Sequence, residues 1–359
     1  NTGASINPVT NQFQNETFKS FSAGANSNIT LFNGLANWKT LQRTKLNKIA
    51  NSYRLDKMKD DIALSVANSY LQILFNKEQL KVQKNQNLVT KENIKRTQEL
   101  IEAGTLPVGD IYELQATDAT QQQQIISTEN ALLISKIALC QTLLLEEYAT
   151  FDISDEIIDL PMSNVANETQ EAILTKAKES VKDVKIAMSN VDIAKKDVSI
   201  SRSSYLPTLS GFFGYNTRWA ESTPFNFADQ LSLFDGTAIG LQLNVPILNG
   251  FATRGRVQRA KINQERSEFQ LKQAELDLER NVYQAYNDVI NAKKSFEAAQ
   301  KTLEARKQSF NFSKERFDVG LMNSFDFSQA SFAYENAQSD VLRTKYDYIF
   351  RTKILEFYF

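Results

Sequence analysis

At 359 residues, with a formal net charge of −1 and lysines and glutamates mixed along its length, the chain is long enough for two or three domains but carries no basic patch for nucleic acid. It contains no histidine and a single cysteine, Cys140, which excludes a disulfide framework and a cysteine/histidine zinc site and removes the commonest general base from any enzymatic reading. No run of about 18 apolar residues occurs, and the nearest stretch, 131–145, is interrupted by Ser135, Lys136 and Gln141, so no membrane-spanning helix is expected.

Residues 1–10, with Pro8, read as the end of a strand or a loop, while Phe21, Ala23, Ala25, Ile29 and Leu31 interleave with Ser22, Gly24, Asn26, Asn28 and Thr30, the period-two pattern of a strand. The opening Asn1-Thr2-Gly3-Ala4 lacks the basic and apolar regions of an export signal. The first strand pair is expected to be incomplete, with part of its hairpin and a preceding helix lying upstream. Residues 35–103 hold neither glycine nor proline, and neither do residues 256–319. Helices of that length would run roughly 100 Å, which no ordinary globular domain needs. Val66, Ile73, Leu80, Asn87, Ile94 and Ile101 fall at steps of seven, as do Val282, Val289, Phe296, Leu303, Phe310 and Phe317. In the second series Ala285, Ala292, Ala299 and Arg306 follow three residues after the first four members, so large residues face mostly small ones as antiparallel coiled-coil packing requires. An isolated long coiled coil is the competing reading.

A turn at 103–109 returns the chain as a second helix over 111–148, antiparallel to the first. Residues 149–168, with Pro161, Asn164, Asn167 and acids at 152, 155, 156 and 159, read as an irregular side segment. A helix over 169–203 ends at Tyr205-Leu206-Pro207. A second strand pair follows: Leu209, Phe213, Tyr215 and Trp219, then Ile239, Leu241, Leu243, Val245 and Ile247, alternate with small or polar residues, and only Phe212 breaks the pattern. Strands of about ten residues, apolar on one face and joined by a loop over 220–235, fit a transmembrane barrel with a wet interior, or a hairpin packed on a soluble core. Gly250 opens the second long helix, residues 317–325 turn it, and 326–359 return.

The second half repeats the first. Gly104 and Asp110 recur about 216 residues later as Gly320 and Asp326, and Asn28, Asn33, Gly34, Ala36, Val66 and Tyr70 recur as Asn244, Asn249, Gly250, Ala252, Val282 and Tyr286. This is an internal duplication of a whole unit, too long for a solenoid repeat. One chain then supplies at most four strands. Four strands cannot close a barrel and an open edge cannot stand in lipid, so closure needs several copies.

Arg316-Phe317-Asp318-Val319-Gly320-Leu321, followed by Asp326, resembles the tip motif of the TolC-like outer-membrane efflux family. Ser204-Tyr205-Leu206-Pro207-Thr208-Leu209 resembles that family's helix-to-strand entry, and Val245-Pro246-Ile247-Leu248-Asn249-Gly250 its exit, with 28–34 as the exit's first copy. The asparagine-rich strands resemble members from the Bacteroidetes group. The resemblance covers essentially the whole chain. It implies an α+β membrane protein, a homotrimer whose 12-stranded outer-membrane β-barrel (four strands per chain) continues as a periplasmic α-helical coiled-coil barrel. It divides the chain into a first strand pair (1–33), a first helical hairpin (34–148), an equatorial segment (149–168), a helix (169–205), a second strand pair with its extracellular loop (206–249) and a second hairpin (250–359) with its tip at 319–325.

The function implied is passive export, as the outer-membrane duct of a tripartite efflux pump or type I secretion system, with no cofactor, no metal and no catalysis. Partners implied are a periplasmic adaptor (membrane fusion) protein, through it an inner-membrane transporter, and outer-membrane lipid. Gly104, Thr105 and Leu106, and Val319, Gly320 and Leu321, are the implied adaptor-docking tips. Asp110 and Asp326 align with acids of the periplasmic aperture, where a trimer would present a carboxylate ring favouring cations. Both also have capping-box spacing, with Glu113 and Gln329, and Ser324 competes as the second cap. The sequence departs from the best-known members at Met322, Phe317 and Gln329, so closure is expected to rest on apolar contacts and to depend little on salt. A structural periplasmic or surface coiled-coil scaffold, extractable without detergent, is the alternative.

Overall fold

The computed structural model describes residues 2–6, 9, 11–17, 19–146, 148, 150–154, 168–221 and 223–358. In chain order these form β1 (Thr2–Ile6), β2 (Phe13–Thr17), β3 (Ser20–Asn33), α1 (Ala36–Glu102), α2 (Gly109–Thr142), α3 (Gln170–Ser180), α4 (Lys182–Ser203), β4 (Thr208–Ala220), α5 (Phe227–Leu233), β5 (Gly236–Asn244), α6 (Ala252–Asp318) and α7 (Ser324–Tyr358). The duplication is visible in the helices themselves: α1 and α6 both have 67 residues, and their first and last residues are offset by the same 216 positions. The chain divides into two compact units, Asn1–Ala50 with Ala187–Leu271 and Asn51–Ile186 with Lys272–Phe359.

In the first unit β3, β4 and β5 form one antiparallel sheet, while β1 and β2 pair separately as a hairpin. Of the four strands expected per chain, the sheet holds three: β3 joins β4 and β5, and β1 and β2 stay apart. The longest pairing among the described residues is β3–β4, thirteen residue pairs with a register shift between Thr30 and Phe32. Register sets the faces. Phe21 lies opposite Trp219, Ala25 opposite Tyr215 and Ile29 opposite Gly211, and across the next ladder Tyr215, Phe213, Gly211 and Leu209 meet Thr237, Ile239, Leu241 and Leu243. This apolar face is open: Ile239 is 81% exposed, Leu241 69% and Ile29 62%. The other face carries Asn26, Asn28, Asn216, Arg218, Gln242 and Asn244. Phe212, the one departure from the pattern, belongs to that polar face and lies opposite Gly240, where a Cβ would meet its ring at 2.7 Å. Glycine there lets the ring lie flat across the neighbouring strand.

The strand-to-helix exits repeat as well. Gly34 and Leu35 are both left-handed, at φ +65°, and so are Gly250 and Phe251, at +59° and +61°. Leucine and phenylalanine in that region cost roughly 1–2 kcal/mol each. Asn33 and Asn249 each reach a side chain four residues on, Nδ2 donating to Asn37 Oδ1 at 2.7 Å and to Thr253 Oγ1 at 2.6 Å. Lys39 Nζ donates to Ser199 O and Ser203 Oγ, and Arg43 pairs with Asp197 at 2.7 Å, which ties the start of α1 to α4.

The second unit is helical. The heptad residues Ile73, Val282, Val289, Phe296 and Phe317 are buried, together with Ala285 and Ala292. Tyr346 and Ile349 of α7 form a core with Leu71 and Leu74 of α1. Polar groups fix the register between helices: Asn76 Nδ2 donates to Ala131 O and Ser135 Oγ, Gln79 Nε2 to Ser339 Oγ at 2.8 Å, and the Tyr346 hydroxyl to Glu78 Oε1 at 2.8 Å. Asp152 holds Lys77 at 2.8 Å and Lys136 at 3.1 Å, and these ammonium groups bring its carboxyl down to about 2. That clamp pins the described start of the side segment to α1 and α2, while residues 149 and 155–167 of the segment lie outside the described residues.

Two expected helices end differently. The helix expected over 169–203 is two, since Val181 is extended (ψ 127°) between α3 and α4, and Thr169 caps α3 by accepting from the Ala172 N–H. The helix expected to reach residue 148 stops at Thr142. There Leu144 turns left-handed, and the N–H groups of Leu144 and Leu145 close back on the carbonyls of Gln141 and Cys140. Among the described residues no helix is long and apolar enough to cross a membrane.

Candidate functional site

Helices α1 and α6 end in the same turn. Gly104 N–H donates to Ile101 O at 2.9 Å and Thr105 N–H to Leu100 O at 3.0 Å, and in the other copy Gly320 N–H donates to Phe317 O at 3.0 Å and Leu321 N–H to Arg316 O at 2.8 Å. Both glycines have φ +74°. These are the paired bonds of a Schellman cap, which satisfies the last carbonyls and reverses the chain at a left-handed residue. A Cβ at either glycine would meet nothing within 4 Å, so glycine is selected here by backbone conformation and not by crowding. The Thr105 hydroxyl adds a bond to Leu100 O at 2.7 Å.

What the turns expose is apolar. Val319 and Leu321 are 69% and 70% exposed, beside exposed Val108 and Phe325, while Leu106 is half-buried. What they bury is the aromatic core that joins the two hairpins. Phe317 stacks on Phe327 with ring centroids 4.6 Å apart, Leu114 completes the buried cluster, and Ile94, Phe310 and Met322 pack against it. Phe317 is 1% exposed. Its side chain and that of Met322 therefore act by packing the hairpins of this chain together.

The acids divide. Asp326 lies in the first turn of α7, where Asn323 is the cap: Asn323 Oδ1 accepts from the Asp326 N–H at 2.8 Å and Asn323 Nδ2 returns a bond to Asp326 Oδ2 at 3.1 Å. This corrects the capping expected from Asp326 with Gln329 or from Ser324, because Asn323 stands one step earlier and leaves Ser324 buried with no partner for its hydroxyl among the described residues. Asp110, second residue of α2, makes no capping box with Glu113 either; Val108 holds the cap position with a helical backbone and no side-chain bond. The Asp110 carboxylate keeps the favourable place of an acid at a helix N-terminus. Gln329 is exposed and lines a groove of about 300 Å³ between α2 and α7, with Glu113, Thr117, Gln121, Phe332 and Glu335.

Two connections here were not foreseen. Arg96 of α1 pairs with Asp318 at 3.4 Å, tying the first hairpin to the tip of the second. Deeper in the groove, Gln121 Nε2 donates to Glu335 Oε1 at 2.7 Å, and Asn87 Nδ2 donates to Asp118 Oδ1 at 2.6 Å and to Gln121 Oε1 at 3.3 Å. One polar chain thus joins α1, α2 and α7. Burial pushes the Glu335 carboxyl up to about 7, against the bonds from Ser331 and Gln121 that pull it down. Asn87, a polar residue in an apolar heptad series, was the signal that could have found this network. The Arg96 pair had none, since it needs the register between hairpins.

The family model described as "Outer membrane efflux protein" matches residues 1–143 and 173–352. Outer membrane protein TolC of Vibrio cholerae is 23% identical over 291 residues, covering 80% of this chain and 65% of that protein. The proteases secretion protein PrtF of Dickeya chrysanthemi is 25% identical over 246 residues, covering 67% of this chain and 50% of its own length. The chain therefore spans less than two thirds of either relative. Among solved structures, the Campylobacter jejuni CmeC outer membrane channel superposes with a TM-score of 0.74 at 15% identity, covering 100% of this chain and 75% of that one, which establishes likeness of fold.

Proposed function

Because the chain belongs to the outer membrane efflux protein family, we propose that it is the outer-membrane duct of a tripartite efflux pump or type I secretion system, a passive channel in the outer membrane that continues into the periplasm. The observation that carries this reading is the repeat: each copy joins strands of one sheet, apolar and exposed on one face, to a 67-residue helix that ends in the same left-handed glycine turn.

Each part has a task. The sheet ends in open edges, whose unpaired backbone groups would cost several kcal/mol apiece in hydrocarbon, so copies of the chain close them by strand pairing. Three copies of the β3–β5 sheet supply nine strands, and a fourth strand from the 1–17 region of each copy completes a 12-stranded barrel, apolar outside and lined by asparagine, glutamine and small residues. The helices of the three copies continue it as an α-barrel. At its periplasmic end the turns of Gly104, Thr105 and Leu106 and of Val319, Gly320 and Leu321 meet the hairpin tip of an adaptor protein, with the exposed Val319 and Leu321 side chains as its apolar contacts, and the adaptor couples the duct to an inner-membrane transporter. Asp110 and Asp326 put rings of carboxylate at the aperture and favour cations.

Closure rests on the Leu114, Phe317, Met322 and Phe327 cluster. Arg96, half-exposed, and Asp318, a quarter exposed, stand 3.4 Å apart and add no more than about 1 kcal/mol, and salt screens that contribution. Planar-bilayer recordings test the duct and its gate together. The full chain is expected to conduct, with open probability nearly independent of ionic strength, and Asp110→Asn with Asp326→Asn is expected to lower cation selectivity. An absence of conductance contradicts the duct, and strong opening by salt contradicts apolar closure.

A further inference from the structure

The connection between β4 and β5 is a folded cap, and it leans to one side of the sheet. The Phe227 ring of α5 lies 5.7 Å from Phe21 and 5.7 Å from Trp219, and the Thr217 hydroxyl donates to Leu231 O at 2.7 Å. Phe21, Thr217 and Trp219 all belong to the apolar face, so α5 packs on that face at the end of the sheet remote from the strand-to-helix exits. β5 begins opposite Asn216, and beyond it α5 bonds to β4 instead, through Leu231 O to Thr217 and Gln230 to the Ala220 backbone.

The cap also satisfies its own backbone. Gln230 is 1% exposed; its Oε1 accepts from the Ala220 N–H at 2.9 Å, and its Nε2 lies within hydrogen-bond reach of the carbonyls of Ala220, Thr223 and Phe225, the last at 2.7 Å. Polar groups that a loop in water would leave to solvent are here turned inward onto one amide. Outward it shows Phe225 and Phe227, each 48% exposed, and Leu233, 59%, interspersed with exposed Asn226, Asp229, Ser232 and Asp235, the mixture of rings and polar groups that suits a headgroup layer. A loop that hides its backbone, shows aromatic side chains and continues a lipid-facing surface is built for the membrane–water boundary, where aromatic rings collect.

We propose that α5 and its flanking residues form an interfacial collar, seated in the headgroup region of the bilayer with Phe225 and Phe227 directed to lipid, rather than a loop standing free above the barrel. The proposal rests on the barrel reading given above, and its test separates the two. With Trp38→Phe and Trp219→Phe as background, a single tryptophan is introduced as Phe227→Trp or Ile239→Trp, and each full chain is reconstituted in phosphatidylcholine vesicles brominated either near the headgroup or near the bilayer centre. Only protein that floats with the vesicles is measured.

The collar predicts that Phe227→Trp is quenched more strongly by the shallow bromines and Ile239→Trp by the deep ones. Adding Gln230→Ala to the first is expected to remove most of its shallow quenching and to leave the second unchanged. Quenching of Ile239→Trp without quenching of Phe227→Trp overturns the collar and keeps the barrel. Quenching of neither overturns both.

Discussion

Gly104 and Gly320 have the same φ of +74° and open space where a Cβ would stand, whereas Phe317, three residues before Gly320, is 1% exposed. Substitution should therefore separate conformation from packing. Gly320→Ala is expected to cost about 1 kcal/mol, the left-handed strain alone, and Phe317→Ala about 3–5 kcal/mol through the cavity left against Phe327 and Leu114. Denaturant unfolding of the two variants checks the order, and equal costs would contradict it. Glu335 carries the pH dependence of the groove. Its folded value of about 7 lies above the ordinary 4.5, so the folded chain keeps a proton that the unfolded chain releases. The stability tied to that proton is full below pH 4.5, falls as pH rises toward 7 and is lost beyond it. Glu335→Gln keeps an acceptor for Gln121 and removes the titration, so its melting temperature should not fall over that window and should exceed that of the parent above pH 7. An identical slope in both proteins would remove Glu335 as the cause. At this scale the tip glycines were legible in the sequence because each interrupts a long run without glycine or proline. Asn323 was hidden among competing caps at Ser324 and Asp326, and the raised carboxyl of Glu335 depends on burial that no spacing discloses.

Among the elements, the long helices were legible because their heptads recur in both copies, and the strands because one face is apolar throughout. The ends were not. The break at Val181 and the left-handed Leu144 occur without glycine or proline, so their cause lies in capping bonds and not in residue type. The folded cap on β4 and β5 was read only as a loop, since its organisation depends on a single buried amide. The two strand-to-helix exits look alike in sequence and backbone but differ in surroundings. A Cβ at Gly34 would meet Ser203 O at 2.6 Å and Leu206 Cβ at 2.8 Å, while one at Gly250 would meet nothing within 4 Å. Gly34→Ala is thus expected to destabilise clearly more than Gly250→Ala, by strain plus displacement of α4 against strain alone. Comparing the two melting temperatures decides this, and a larger loss at Gly250 would mean that the exits bear load differently from their contacts.

For the whole molecule, the chain is a duplicated unit whose two 67-residue helices repeat one another, and the proposed duct requires several copies of it. In one unit the sheet has open edges and an exposed apolar face, and in the other the helical tips expose Val319 and Leu321, so each leaves apolar surface for a partner. The duplication and the family motifs made the repeated strands and helices readable, whereas the three-stranded sheet depends on a β3–β4 pairing between residues nearly two hundred positions apart. The most direct test is the protein mass of the detergent-extracted particle from the membrane fraction, measured by light scattering with the detergent contribution subtracted. Three chains per particle is the result that closure of the barrel predicts. A monomer or dimer that leaves the membrane without detergent would contradict the duct.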